Sequence, residues 1–362
     1  MLSYRLIVPL VTALVLTSLG QAVQAEPYLA VQKGMQCANC HSNPAGGGKR
    51  TVYGNVFAQS ELAARRWGDS ALWTGEVAKW LSIGGDLRAS FVDTDTPGRS
   101  STSDTSFNRG TLYLEASLIP NRLSLYIDEQ FSPNDLENRE IYLRLNSKDT
   151  RWYLIAGQFY LPYGLRLQDD TAFVRQATGI NFATTDRGLQ GGYNSGPWSV
   201  IASVTDGSGA GRDSAGNQVS LVSSYVQPMW RTGISVNLNE DDFGDRTMFG
   251  LFGGLKTGPV AWLAEIDRIS DDISSGVSTE AFAGLLEANW TVHGKHNVKL
   301  SYDFLDPNND ISEDQQVRYS LVWEYSPIQF VQTRLGYRLY DGIPQVDAQN
   351  RKVFFVELHG FF

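Results

Sequence analysis

Cys37-Ala38-Asn39-Cys40-His41 holds both cysteines of this chain, three positions apart and followed at once by a histidine. Haem is attached covalently through this pattern in c-type cytochromes. Each thiol can form a thioether to one haem vinyl group, and the adjacent neutral imidazole can reach the iron from the proximal face. Competing chemistries need company that the sequence does not supply. A redox dithiol is favoured beside a βαβ pattern, and none is present. A structural zinc needs four ligands, and no second CxxC or paired histidine lies nearby. A simple disulfide before His41 is the remaining alternative. Position favours one covalent haem c, on Cys37 and Cys40 with His41 on the iron, because the motif lies just inside an exported N-terminus.

Residues 1–25 carry that export reading. Arg5 supplies the positive end, Leu6 to Leu19 the apolar run, and Val23-Gln24-Ala25 the small residues for cleavage before Glu26. No later stretch approaches the ~20 consecutive apolar residues of a spanning helix. The formal charge of −9 grows one unit more negative once Arg5 is lost, which argues against nucleic acid as a partner.

From about Leu81 the sequence alternates with period 2. Leu112, Leu114, Ala116 and Leu118 share one parity, and Thr111, Tyr113, Glu115 and Ser117 the other. Val298, Leu300 and Tyr302 oppose Asn297, Lys299, Ser301 and Asp303, and Val317, Tyr319, Leu321 and Trp323 oppose Arg318, Ser320 and Glu324. Runs of about ten residues with one apolar and one charged face are the pattern of transmembrane strands, with lipid outside and water inside. Such segments number about sixteen, from 81–91 to 352–362. Short connections such as Pro120-Asn121, Thr257-Gly258 and Ser326-Pro327 alternate with long polar ones such as 92–108, 207–217 and 239–245. The expected fold is therefore all-β: an antiparallel transmembrane β-barrel over 81–362, preceded by a small α-helical haem-binding segment over 26–80. An even strand number puts both barrel ends on the short-turn, periplasmic side. The final strand ends on Phe362 with Phe354, Val356 and Leu358 on its parity, and this terminal aromatic resembles the insertion signal of bacterial outer-membrane proteins.

The longest connection, Phe159 to Arg187, follows the fifth segment. It resembles the third loop of sixteen-stranded porins, which folds inward and narrows the pore. Its G-Q-F-Y-L-P-Y-G stretch (157–164) is also similar to phosphate-selective porins, although no basic cluster suited to phosphate accompanies it. Arg166, Asp169, Asp170 and Arg175 are the constriction candidates, the alternative being an ordinary solvated loop.

Within 26–80, Thr51 to Trp67 and Ser70 to Leu81 read as helices, the second with Trp73, Val77 and Trp80 on one face. Gly46-Gly47-Gly48 lets the backbone pass close to a bulky group such as the haem edge. Lys49 and Arg50 are either propionate partners or solvated linker charges. A module this small has little core of its own and is expected to dock in or under the barrel. The distal iron ligand is open. Met35 lies too close to Cys37 to swing to the opposite haem face. His293, His296 and His359 map to the short-turn end, and His359 aims inward, so it is the favoured distal candidate. Five-coordinate or water-bound iron is the alternative.

A haem motif followed by a porin-like remainder resembles the fused cytochrome–porin proteins of the bacterial outer membrane, among them the iron-oxidising outer-membrane cytochromes. That resemblance, on Gly34 to His41 and the architecture, implies electron transfer between an extracellular donor or acceptor and periplasmic c-type cytochromes, with Fe(II) as the suggested substrate. Acidic groups at Asp241-Asp242, Asp271-Asp272 and Asn308 to Asp314 either gather cations at the outer face or are plain solvated loops. One haem cannot span a ~30 Å bilayer core. A solute porin whose haem segment is a plug, gate or redox sensor is the alternative. A homotrimer is an assembly open to either.

Overall fold

The computed structural model describes residues 26–68, 71–133, 137–180, 184–208, 216–242, 244–273, 276–292 and 295–362. The export segment 1–25 and His293 lie outside the described residues. A short strand, β1 (Glu76–Ala78), leads into β2 (Leu81–Asp95) and pairs with it. Fifteen further strands follow: β3 (Thr102–Ile119), β4 (Leu123–Ser132), β5 (Glu137–Asn146), β6 (Trp152–Tyr160), β7 (Thr185–Ser195), β8 (Trp198–Thr205), β9 (Gly216–Val226), β10 (Trp230–Asp241), β11 (Gly244–Thr257), β12 (Val260–Ile273), β13 (Val277–Val292), β14 (His296–Asp306), β15 (Gln316–Ile328), β16 (Val331–Asp341) and β17 (Lys352–Phe361). Each of β2 to β17 is antiparallel to its neighbour, and β17 pairs with β2 from Lys352–Asp95 to Phe361–Asp86. The result is a closed barrel of sixteen strands, as the alternation predicts.

Closure leaves no unpaired strand edge, so the backbone polar groups of the wall are satisfied within the sheet. The exposed parity is apolar: Leu112, Leu154, Leu221, Leu251, Ile266, Leu286, Leu300, Leu321 and Leu358 all point outward. Trp152, Trp198, Trp230, Trp262 and Trp290 ring the outside near the short turns, and Phe91, Phe107, Phe131, Tyr319 and Tyr337 lie toward the other end. The short turns need left-handed backbone, supplied by Asn121, Gly196, Gly258, Lys295 and Phe330. At the opposite end the strands run further than their polar sequence suggests. The expected 92–108 loop is mostly β2 and β3, leaving 96–101, because both strand faces turn polar once the chain has left the apolar belt.

The N-terminal segment departs from expectation in detail. It begins with helix α1 (Pro27–Lys33), has a 3-10 turn at Cys37–Asn39, and continues with helix α2 (Val52–Phe57), prolonged by one π-type turn over Ala58–Leu62. The expected second helix, Ser70 to Leu81, is absent over its described residues. Gly75 takes a left-handed φ of 87°, β1 pairs with β2, and Val77 and Trp80 are exposed beside the other outward tryptophans. The left-handed turn at Gly75 and the pairing of β1 with β2 override the helical spacing.

Candidate functional site

The N-terminal segment lies in the lumen at the short-turn end and touches opposite walls. Tyr28 and Val31 of α1 pack on Phe252, Ala261 and Leu263, inward-facing residues of β11 and β12. Beyond His41 the chain runs along β3 to β5. Ser42 Oγ donates to Glu115 (2.9 Å), Asn43 Nδ2 to Glu140 (2.7 Å), and Arg144 Nη1 to the Ser42 carbonyl (2.6 Å). The short turns close around it: Gln36 Nε2 donates to the carbonyls of Gly196 and Trp198, Lys295 Nζ to that of Glu61, and Ala64 N to that of Ser326. The segment is a plug bolted to the turns.

Its cysteine motif is shaped by the 3-10 turn. The Cys37 carbonyl accepts from the amides of Cys40 and His41, both at 3.1 Å, so the two thiols sit one turn apart. Both are free. Thr51 caps α2 by accepting from Gly54 N (3.1 Å) and donates its hydroxyl to the Asn39 carbonyl (2.7 Å). A Cβ on Gly54 would lie 2.2 Å from the Cys40 carbonyl oxygen, so only glycine lets α2 press on the motif.

Cys37, Cys40 and His41 line one cavity of about 890 Å³, part of it open to solvent. Leu29, Ala30, Phe57, Ala58, Leu62 and Phe361 supply apolar wall, and Lys33 and Arg50 supply charge. Burial, with Arg50 nearby, pushes the His41 imidazole down to about 3, which keeps it neutral, the form that ligates iron. Its Nδ1 is buried without a hydrogen-bond partner. Burial, then Cys37, raises the Cys40 thiol. A tetrapyrrole suits this set: two free thiols, a neutral imidazole with a bare nitrogen, an apolar surround and a cation for its carboxylates.

Other expected partners separate. His359 faces the lumen and lines the same cavity, but both ring nitrogens are engaged. Nε2 lies 3.0 Å from Asp86 and from Arg88 Nη2, and Nδ1 lies 3.2 Å from Gln332 Oε1. It can reach an iron only by surrendering one of these. His296 sits outside, stacked on Trp323 and Tyr325. Met35 lines the cavity, its sulfur 3.4 Å from the Tyr53 hydroxyl. Lys49 turns away to Glu115 (3.1 Å), so of the two basic residues after the motif Arg50 alone lines the cavity, stacked over Phe361 at 4.3 Å.

The glycine run after the motif meets the barrel wall at Gly48. Gly46, Gly47 and Gly48 all have positive φ, and a Cβ on Gly48 would lie 2.4 Å from the Tyr126 hydroxyl. Gly48 thus lets the chain pass close to the barrel wall. Gly48→Ala is therefore expected to destabilise the plug by about 1–3 kcal/mol, through strain at φ > 0 and the clash. Faster hydrogen exchange over 41–50 with unchanged barrel protection would check it; unchanged exchange would contradict it.

The connection from β6 to β7 folds into the lumen and carries a short helix, α3 (Phe173–Thr178). Leu165, Leu167, Ala172 and Val174 pack with α1 and the inner wall. Asp169 pairs with Arg318 (2.9 Å) and Arg338 (3.1 Å); burial opposes its charge, but these guanidiniums hold the carboxyl below the usual carboxylate range. Arg175 is ion-paired to Glu265 of β12, whose other oxygen accepts from Leu165 N (2.9 Å). Asp170 interacts electrostatically with Arg139, and Arg166 lies over the Tyr160 ring at 4.8 Å. Asp169 and Arg175 are thus tied to different strands. Sequence reasoning missed their wall partners Glu265, Arg318 and Arg338, although each is a charged residue on the inward parity. At the far end Asp271 pairs with Arg246 at 3.5 Å.

No known family model matches the sequence, and no curated protein is similar to it. Solved structures are similar in fold. An in-vitro folded OmpT of Vibrio cholerae in a trimer form shares 12% identity at a TM-score of 0.59, over 78% of this chain and 99% of that one. An anion-selective porin from Comamonas acidovorans shares 11% at 0.62, over 78% and 99%. Salmonella typhi OmpF in complex with daunomycin shares 11% at 0.60, over 78% and 97%. Identities this low establish a common fold: the chain folds as outer-membrane porins do.

Proposed function

We propose that this protein is a bacterial outer-membrane porin-type channel whose N-terminal plug carries one covalent haem c. The observation that carries the reading is the convergence of Cys37, Cys40 and His41 on one cavity inside a porin barrel, with Arg50 and an apolar surround. Haem bound there supplies one-electron redox chemistry. The chain's own residues anchor it through two thiols, present a neutral imidazole on one side, and exclude water with Phe57, Leu62 and Phe361. The plug's bonds to the short turns support a periplasmic position for this site. Redox state then bears on how firmly the plug sits, which makes the segment a gate or sensor for solute passage.

Electron transfer to periplasmic c-type cytochromes, with Fe(II) as a donor, is the second reading. It is favoured by the position of the cavity at the short-turn mouth, partly open, where a soluble partner can approach. Reconstitution in liposomes separates the two. Solute flux that changes with haem redox state supports the gated porin; haem reduction by external Fe(II) without flux supports electron transfer, and neither signal would overturn both. Trimeric assembly is tested by cross-linking in the same vesicles.

The outward apolar belt between aromatic girdles supports the outer-membrane placement. Leu300, 55% exposed, is well inside that belt. Leu300→Arg is expected to cost about 2–4 kcal/mol in a bilayer. Unfolding from vesicles by guanidinium measures it, and a cost near zero would mean this face meets water.

A further inference from the structure

We infer that the lumen contains a binding site for a small oxyanion or carboxylate, held by Arg231 between the plug and the infolded loop. A second cavity, of about 650 Å³, lies there, lined by the plug, the loop after β6 and the inner faces of β8 to β11. Among the described residues the charged ones on its lining are Arg166 and Arg231, with no Asp or Glu. Lumen arginines such as Arg88, Arg318 and Arg334 are by contrast ion-paired to wall carboxylates.

Arg231 is 8% exposed, and its Nε and Nη1 have no hydrogen-bond partner. A buried guanidinium with two unmet donors is costly, and an anion relieves that cost by accepting from them. The surround is built to present it. The guanidinium carbon lies 5.8 Å from the centre of the Phe252 ring. That ring lies against Gly233, where a Cβ would come within 2.2 Å of it. Ser199 and Ser224 face one another across β8 and β9 and add two hydroxyls to the same cavity. Cys37 lines both cavities, so a bound anion sits beside the haem attachment turn. The inference names the solute class of the proposed plugged porin and rests on that architecture, not on the haem.

The test is calorimetric titration of the detergent-solubilised full-length protein with inorganic phosphate and, separately, acetate, at constant ionic strength. Saturable one-to-one binding of at least one probe is expected, weakened about tenfold or more in Arg231→Gln because a charge-assisted bond is lost. Arg231→Lys should recover part of it. Should Arg231→Gln fail to fold, phenylglyoxal labelling of the unaltered protein gives the same answer: the bound probe should slow modification of Arg231. Absence of binding, equal affinity in Arg231→Gln, or labelling indifferent to the probe overturns the site. Repeating the titration on Cys37→Ser/Cys40→Ser keeps the two readings apart, since anion binding should survive there without haem, and its failure in haem-loaded protein would leave the haem plug standing.

Discussion

Cys37→Ser, Cys40→Ser and the double variant are expected to insert as barrels, the double variant with no covalent haem at all. A thioether needs a thiol, and this chain has no third cysteine to substitute. The barrel should be indifferent, because its sixteen strands and their pairing contain neither residue. The plug should lose stability as well, since its cavity would then have nothing apolar to enclose. Haem staining of denaturing gels and heat-modifiable mobility read the two effects separately. Covalent haem retained in the double variant would refute the assignment, and failure of the barrel to insert would show that plug and wall fold as one unit.

Arg318→Ala should be the most damaging substitution inside the lumen. Arg318 is 1% exposed and joins two carboxylates: Asp303 of the wall at 2.8 Å and Asp169 of the infolded loop at 2.9 Å. It also donates to Thr171 Oγ1 at 2.7 Å. Removing it leaves the buried Asp303 without its counterion and the part-buried Asp169 with Arg338 alone, a change that costs about 3–5 kcal/mol. The loop, losing its tie to β15, should move off the wall and widen any path beside it. Guanidinium unfolding in vesicles and single-channel conductance measure the two consequences. A loss below about 1 kcal/mol, the size of a surface pair, with unchanged conductance would mean that the loop is held by its apolar face, Leu165, Leu167 and Val174, instead.

The wall was legible in the sequence because a barrel strand writes its environment into every second residue. Leu112 and Thr111, or Leu300 and Lys299, cannot exchange faces without placing charge in lipid. The lumen was less legible. Arg231 and Glu265 both lie on the inward parity, yet one is unpaired and the other ion-paired, and parity does not say what lies across a barrel. Three-dimensional closure decides that. The plug was the least legible part. Its short helices are fixed by contacts with residues far along the chain, as Gln36 is by Gly196, so local periodicity around Trp73 to Trp80 had little to report. The motif itself stood out because its spacing fits covalent haem attachment and not a packing period.

The cavity around His41 is walled on one side by the seam where β2 meets β17. Gly85 and Phe362 exchange backbone hydrogen bonds there, Arg50 stacks on Phe361, Gln332 donates to Glu26, and Asp86 holds His359 across 273 positions of sequence. Contacts of such separation form late, because the loop they close is nearly the whole barrel. The pocket therefore cannot exist as a finished enclosure before the first and last strands have joined. Until then the thiols are approachable from the seam side as well, and afterwards only through the open mouth of the cavity. For the proposed haem plug, assembly would impose a chronology: thioether formation while the chain is still open, closure second, with the seam as the latch.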